Sequence, residues 1–205
     1  MAWRIIVCII AGILLGSLNG AIVVSKTFLN DDVREKGSGN AGLTNFIRNF
    51  GGRLTLLLVV IDMGKVVLAC YVGKLLLPGM DANLAKMIGG ASAQLGHIFP
   101  VFYGLRGGKG ILSSAALALI MHWLIFVIGF SLFLIIVFTT RYVSLGSMLA
   151  SLVYAVMFVL LFWSTPMVWA LALVMVALAV FMHRENIDRL LHGTEHKFSL
   201  SKSKK

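Results

Sequence analysis

Long uncharged apolar runs alternate with short, glycine-bearing, mostly basic connections along this chain of 205 residues. A spanning helix needs about 20 apolar residues, or about 17 at the short end. Runs of that kind predict spans at about 5–25, 54–77, 87–103, 142–163 and 167–182. One further run, 111–140, has thirty residues and no Asp, Glu, Lys or Arg. As a single helix it would measure ~45 Å, against a hydrocarbon core of ~30 Å. Arg106 and Lys109 precede it and Arg141 follows it. Both ends therefore belong on one side of the membrane, and the run divides into helices at 111–121 and 123–140 that turn near His122 and Trp123. The expected architecture is an all-α polytopic membrane protein with seven transmembrane helices, two of them short, forming one domain over 1–205.

The first run is too long for the ~7–15 residue core of a signal peptide and shows no small-x-small cleavage site, so it is expected to stay as a span. Gly12, Gly16 and Gly20 recur along it at a spacing that builds close helix contacts. Asp62 and Lys65 lie three apart within the second span and share a helix face. Such a pair is expected to hold the bundle together rather than to do chemistry. With the N-terminus outside and the C-terminus cytoplasmic, the inside segments 26–53, 104–110, 139–145 and 183–205 hold all but Arg4, Lys65, Lys74 and Lys86 of the 18 Lys and Arg residues. The positive-inside rule predicts that asymmetry, and it places every unusual polar stretch on the cytoplasmic face.

Composition agrees with a membrane protein: 59% of residues are hydrophobic and 13% charged, against about a quarter charged in soluble domains. The net charge of +10 then reflects topology, and no nucleic acid is expected as a partner. Cys8 and Cys70 sit in apolar runs and form no metal or disulfide pattern, and neither metal nor cofactor is expected.

Three polar stretches carry the candidate chemistry. The first is Gly37-Ser38-Gly39-Asn40-Ala41-Gly42-Leu43-Thr44-Asn45-Phe46-Ile47-Arg48. Its glycines allow close approach of backbone to a ligand, its Ser, Thr and Asn add hydrogen-bonding groups, and Arg48 adds a planar cation suited to phosphate. Read alone it is a turn and a helix capped by Thr44 or Asn45. The second runs from Gly96-His97 and Pro100 to Gly107-Gly108-Lys109-Gly110, ahead of the 111–121 helix. Loop amides, a helix N-terminus and a lysine suit an anion, but the spacing is not that of a nucleotide P-loop. The third is His183-Arg184-Glu185-Asn186-Ile187-Asp188-Arg189, with Glu195-His196 beyond it. His183 and Asn186 share a face if the last span continues as a helix. The pattern His183-x-x-x-x-Asp188 matches an acyltransferase pair of another fold class, yet on one helix the two residues differ by about 140° and do not meet. No Ser/His/Asp set is evident in which Asp62 or Asp188 would orient His97. Lys202, Lys204 and Lys205 read as a basic tail at an anionic lipid surface.

Taken in order, these stretches resemble the PlsY family of bacterial membrane acyltransferases: Gly37-Ser38-Gly39-Asn40 with Thr44-Asn45 and Arg48; Gly96-His97, Pro100-Val101-Phe102 and Gly107-Gly108-Lys109-Gly110; Arg141-Tyr142-Val143-Ser144; and His183-Arg184-Glu185-Asn186 with Glu195-His196. Leu43, Ile111-Leu112-Ser113 and Met63-Gly64-Lys65-Val66 depart from the usual family residues. The resemblance implies acyl transfer from acyl phosphate to glycerol 3-phosphate, giving 1-acyl-glycerol 3-phosphate and phosphate, the first acylation of bacterial phospholipid synthesis, in the bacterial cell (inner) membrane. It implies catalytic roles for Ser38, Arg48, Lys109, Ser144, His183 and Asn186. Substrate contacts are expected from Gly39, Asn40, Asn45, His97, Gly107, Gly108 and Gly110. Ser38, Gly39, Asn40 and the loop 107–110 would cradle the acyl phosphate, while Arg48, Lys109, His183 and Asn186 would hold glycerol 3-phosphate. Ser144 would complete the ring of donors. Arg48 and Lys109, with His183 as a further candidate, would supply the cations. His97 is expected to cap the second loop rather than act as a base, and the family's proposed base is a phosphate oxygen of the donor. The competing class is an organic-anion transporter, which also needs basic glycine loops at broken helices; clustering of the loops on one face and the absence of visible repeats argue against it. A membrane scaffold would leave the ordered Ser, Asn and His positions unexplained.

Overall fold

The apolar runs fold as helices in a computed structural model that describes residues 1–198. Lys202, Lys204 and Lys205 lie outside the described residues. The order is α1 (Ala2–Gly16), α2 (Gly20–Leu29), α3 (Leu43–Phe50), α4 (Thr55–Leu76), α5 (Ala82–Ile98), α6 (Ile111–Met121), α7 (Trp123–Thr140), α8 (Val143–Leu161), α9 (Pro166–Phe181) and α10 (Arg184–Leu191), with 3-10 turns at Val33–Glu35 and Val101–Tyr103. No strand occurs among the described residues. Four stretches among them are long and apolar enough to cross a bilayer: Ala2–Leu29, Thr55–Leu76, Trp123–Thr140 and Val143–Leu161. The pair α9 and α10, bent by 53° at its junction, makes a fifth if counted as one broken span. Helices α5, with 17 residues, and α6, with 11, are shorter.

The first run is not the single helix expected over 5–25. It breaks at Ser17–Asn19, and the freed polar groups find partners, as groups cut off from water must. The Leu18 carbonyl accepts from Lys65 Nζ at 3.1 Å, and Asn19 Oδ1 caps α2 by accepting the Ile22 N–H at 3.1 Å. Asn19 Nδ2 donates to the Ala41 carbonyl at 3.1 Å, and the Gly20 N–H donates to Asp62 Oδ1 at 2.9 Å. The third apolar helix also shifts: α5 begins at Ala82 rather than near 87 and ends at Ile98 rather than 103. Asp81 starts it by accepting the Asn83 and Leu84 N–H groups at 3.0 and 2.9 Å. Phe99 ends it because the residue before Pro100 is pushed out of helical geometry. The division of the 111–140 run occurs at His122, which is extended and caps α7 by accepting the Leu124 N–H at 3.3 Å.

Small residues bring α1, α4 and α5 together. A side chain at Gly16 would overlap the Ala93 backbone, and one at Gly12 would meet Ser92 Cβ at 2.5 Å. Between α4 and α5, Gly73 lies on the Ala85 carbonyl and Gly89 on that of Ala69. The core continues across the bundle through Val66, Met87, Leu117, Ile125, Phe158 and Met175. A second cluster, Ala21, Ile22, Val33, Ala41, Phe46 and Leu58, lies under the polar loops and anchors them. Arg34 ties those loops laterally, binding Asp32 through Nε and Nη2 while Nη1 donates to the Tyr103 carbonyl at 2.6 Å. This partner holds the Asp32 carboxyl well below the usual range.

Candidate active site

The three polar stretches, far apart in sequence, meet around one cavity of about 230 Å³. Ser38, Asn40, Asn45, Arg48, His97, Lys109, Gly110, Ser144, His183 and Asn186 all line it. Gly39, Gly107 and Gly108 do not. Continuing inward, the walls turn apolar: Leu112 and Ala115 from α6, Phe130 and Phe133 from α7, Ala150 and Tyr154 from α8.

The first loop is fixed by Asn45 rather than capped by it. Helix α3 starts after Gly42 with no side-chain cap, so neither Thr44 nor Asn45 fills that role. Asn45, only 3% exposed, donates from Nδ2 to backbone carbonyls of the loop, Lys36 and Asn40 each at 3.0 Å. Its Oδ1 accepts from the Ser38 N–H at 3.1 Å and from Asn49 Nδ2 at 3.0 Å. Its polar atoms are thus engaged by protein and hold Ser38 beside the cavity. The Gly39 amide turns back to the Lys36 carbonyl at 3.0 Å, which removes it from any anion cradle. Arg48 is exposed at the cavity edge, with no hydrogen bond to another described residue.

The second loop lies on His97. A side chain at Gly107 would overlap the His97 carbonyl, and one at Gly108 would overlap its ring Nε2. The Gly108 N–H donates to the His97 carbonyl at 3.1 Å, so it is spent on the protein too. The Gly107 carbonyl accepts the Ala41 N–H at 3.2 Å, stitching this loop to the first. These two glycines therefore serve close packing, and the anion-facing part of the loop is Lys109, Gly110 and the start of α6. Gly110 has φ +81° and opens α6 without a side-chain cap. First-turn amides of a helix have no intrahelical acceptor, and they favour negative charge in the adjoining cavity.

Beneath the loop, Asp62 and Lys65 orient His97, in a cluster without a serine. Lys65 Nζ donates to Asp62 Oδ1 at 2.7 Å and lies 3.0 Å from His97 Nδ1. An ammonium only donates, so Nδ1 accepts and the neutral ring carries its proton on Nε2. Asp62 Oδ1 stands 3.4 Å from the same nitrogen. The pair also holds the bundle as its spacing implies, through Leu18 and Gly20 of the broken first run.

The third stretch closes the cavity at the bend between α9 and α10. His183 Nδ1–H donates to the Ala179 carbonyl at 2.7 Å, which leaves Nε2 as an acceptor. Burial pushes its pKa down to about 4, so at neutral pH it is a neutral imidazole and not one of the cations. Asn186 Oδ1 accepts from Lys109 Nζ, and Asn186 Nδ2 donates to Glu195 Oε1 at 2.7 Å. Ser144 Oγ donates to the same carboxylate oxygen at 2.7 Å, and Arg189 Nε donates to Oε2 at 2.8 Å. Glu195 is thus a hub joining α8 and α10, and Arg189 adds a cation that the sequence reading left out. The pairing Glu195–His196 stood in the sequence, but nothing local tells which cations the carboxylate meets. Desolvation lowers the Lys109 pKa to about 8. Asp188 has a side chain 72% exposed and lies 3.3 Å from His192, away from buried His183, so that pair is no catalytic dyad.

The cavity therefore brings Lys109, Arg48 and Arg189 to its wall together with two carboxylates, each already paired, Glu195 with Arg189 and Asp62 with Lys65, and with neutral donors and acceptors between. That balance suits polyanions, and the apolar depth suits a chain. The glycerol-3-phosphate acyltransferase family profile matches residues 6–193. A glycerol-3-phosphate acyltransferase of Thermoanaerobacter sp. (strain X514) is 38% identical over 184 residues, covering 90% of each chain. Glycerol-3-phosphate acyltransferase 2 of Bacillus anthracis is 34% identical over 192 residues, covering 94% of this chain and 98% of the relative. Two crystal structures of PlsY (YgiH), an integral membrane glycerol 3-phosphate acyltransferase, are also similar at 31% identity. The glycerol 3-phosphate form has a TM-score of 0.85 over 95% of this chain and 96% of that one. The lysophosphatidic acid form has a TM-score of 0.83 over 96% of each.

Proposed function

This chain belongs to the glycerol-3-phosphate acyltransferase family and is a multi-pass membrane acyltransferase, and we propose that it moves an acyl chain from acyl phosphate to the 1-hydroxyl of sn-glycerol 3-phosphate. The products are 1-acyl-glycerol 3-phosphate (lysophosphatidate) and inorganic phosphate, in the first acylation of bacterial phospholipid synthesis. The observation that carries this reading is the single cavity that is cationic at one end and apolar at the other. An acyl phosphate has the same division, and glycerol 3-phosphate needs only the polar end.

In this reading the whole chain, 1–205, is one integral-membrane domain in the bacterial inner membrane. It crosses seven times, α6 and α7 as the short pair, with the N-terminus outside and the site on the cytoplasmic face. The charge asymmetry of the loops supports that orientation.

Ser38, Asn40, Gly110 and the first amides of α6 hold the acyl phosphate. Arg48, Lys109, Arg189 and Asn186 hold glycerol 3-phosphate, with His183 Nε2 accepting a hydrogen bond from a glycerol hydroxyl. Asn45 acts by fixing the loop that presents Ser38, and Gly39, Gly107 and Gly108 act by shaping the loops. Ser144 and Glu195 set the position of Asn186, and His97 supports the second loop from below. The glycerol oxygen attacks the acyl carbonyl carbon, forming the ester C–O bond. The carbonyl C–O bond to phosphate breaks, its electron pair stays on the phosphate oxygen, and a phosphate oxygen takes the hydroxyl proton. The protein's part is placement, worth ~7–11 kcal/mol at best, and fixed donors for the developing negative charge. In this reading His183 Nε2 orients the glycerol hydroxyl, and His97, whose Nδ1 is taken by Lys65, stays out of the proton transfer.

The test is product formation by purified, detergent-solubilised protein offered glycerol 3-phosphate with palmitoyl phosphate or with palmitoyl-CoA. Lysophosphatidate and phosphate should form with the acyl phosphate alone, and not in Lys109→Ala. Turnover with palmitoyl-CoA alone would refute the donor, and turnover with neither, nor with shorter acyl phosphates, in folded protein would refute the reading.

A further inference from the structure

We infer that Tyr154 is the floor of the acyl-chain pocket and sets the length of chain this enzyme takes; the inference rests on the acyltransferase reading above. One face of α8 runs from the polar end of the cavity to its depth through Ser144, Ser147, Ala150 and Tyr154, and all four line it. The first three are small, and the fourth fills the path. The next residues along that face, Phe158 and Phe162, are buried at 4% and 7% exposure in the core cluster and do not line the cavity. The open space therefore stops at the phenol ring.

Two features hold that ring in place. Tyr154 is 4% exposed and packs in the same cluster as Met121, Ile125 and Phe158. Across from it α7 carries Gly129, where any side chain would overlap the Tyr154 ring, so the helices close on the ring. Ala115 and Phe130, which also line the cavity, offer no polar group, and Tyr154 has no hydrogen bond to another described residue. The ring is placed as a stop, not as a ligand for a polar group.

The geometry gives a length. Ten residues separate Ser144 from Tyr154, about 15 Å along the helix. An extended chain advances roughly 1.2 Å per bond, since a residue of three backbone bonds spans 3.3–3.6 Å. About a dozen bonds thus fit between the reacting end and the ring. Longer chains must displace the ring or leave sideways between helices.

The experiment measures kcat/KM for acyl phosphates of 8, 12, 14, 16 and 18 carbons, at one surface mole fraction in mixed micelles, for wild type, Tyr154→Ala, Tyr154→Phe and Ala150→Leu. Tyr154→Ala should raise the ratio of 18- to 12-carbon donors at least tenfold, since even one methylene in an apolar pocket is worth about tenfold or more. Tyr154→Phe, which keeps the ring, should keep the wild-type ranking of lengths. Ala150→Leu raises the floor by about one helical turn and should shift the cut-off to shorter chains. It tests the same stop if Tyr154→Ala does not fold. Rankings that stay superimposed in active variants overturn the inference and leave the acyltransferase reading standing. Wild-type protein inactive on every donor, including the 8-carbon one, overturns both.

Discussion

Lys109 makes the site's charge titratable in an accessible range. Desolvation holds its pKa near 8, well below the usual lysine value of 10.5. The ammonium form predominates below that pH and is lost above it. A phosphate's second pKa lies near 6, so the substrate is already a dianion when the lysine begins to lose its proton. At about 4 Å and an effective dielectric of about 20, one unit of charge on each side is worth about 4 kcal/mol. That corresponds to roughly a thousandfold in rate. The assay is kcat/KM for glycerol 3-phosphate from pH 6 to 10, because this parameter reports groups of the free enzyme. We expect a fall of about tenfold per unit above pH 8. Bound substrate favours the charged lysine, so the limb in kcat should lie at higher pH. Lys109→Ala should lose roughly a thousandfold at pH 7. Lys109→Arg should be impaired but keep its charge, and its alkaline limb should disappear. A wild-type profile flat to pH 9.5, or an unchanged limb in Lys109→Arg, would refute the assignment.

Glu195→Gln removes the charge that meets Arg189 while preserving the shape beside Ser144 and Asn186; turnover should fall at least tenfold and the melting temperature should drop, and a variant with wild-type kinetics would exclude the hub. Asp62→Ala leaves the buried ammonium of Lys65 unpaired and should cost about 3–5 kcal/mol, read by thermal or denaturant unfolding in detergent, with Asp62→Leu/Lys65→Met recovering most of the loss. Gly108→Ala drives a methyl group into the His97 ring and should cost about 1–3 kcal/mol of stability together with activity, measured by unfolding and turnover.

The bilayer's length requirement made most helices legible, because an apolar run has few other fates. Its breaks were less so. Asn19 sits in a run that reads as apolar, and its effect depends on partners 22 and more residues away in the loop of Ala41 and on α4. The start of α5 at Ala82 hinged on a cap by Asp81, which hydropathy does not weigh. Ten of the expected site residues do gather at one cavity because glycine, serine, asparagine and cation patterns mark polar loops directly. What the pattern hides is which hydrogen-bonding group faces the ligand. The amides of Gly39 and Gly108 look free in sequence but bond to the chain itself. Asn45 looks like a ligand but binds the backbone. His183 looks like a cation, yet burial keeps it neutral. Each outcome is decided by tertiary packing, as is the meeting of Arg189 with Glu195.

The break in the first run and the reactive loop belong to one connected structure. Had α1 continued through Leu18, its carbonyl would bond within the helix and Lys65 would lose an acceptor. Lys65 instead bridges Leu18, Asp62 and His97, so the broken backbone and the imidazole share one cation. His97 in turn carries the second loop, through its carbonyl to the Gly108 N–H and through ring contact with a glycine that admits nothing larger. Ala41 receives Asn19 on its carbonyl and gives its N–H to Gly107, so the first loop is tied to the same break and the same shelf. The flexible Lys109 side chain therefore stands on a loop fixed from two directions. The ion pair in the bundle, which reads as remote structural glue, is in this arrangement the foundation that sets where the Lys109 ammonium can reach.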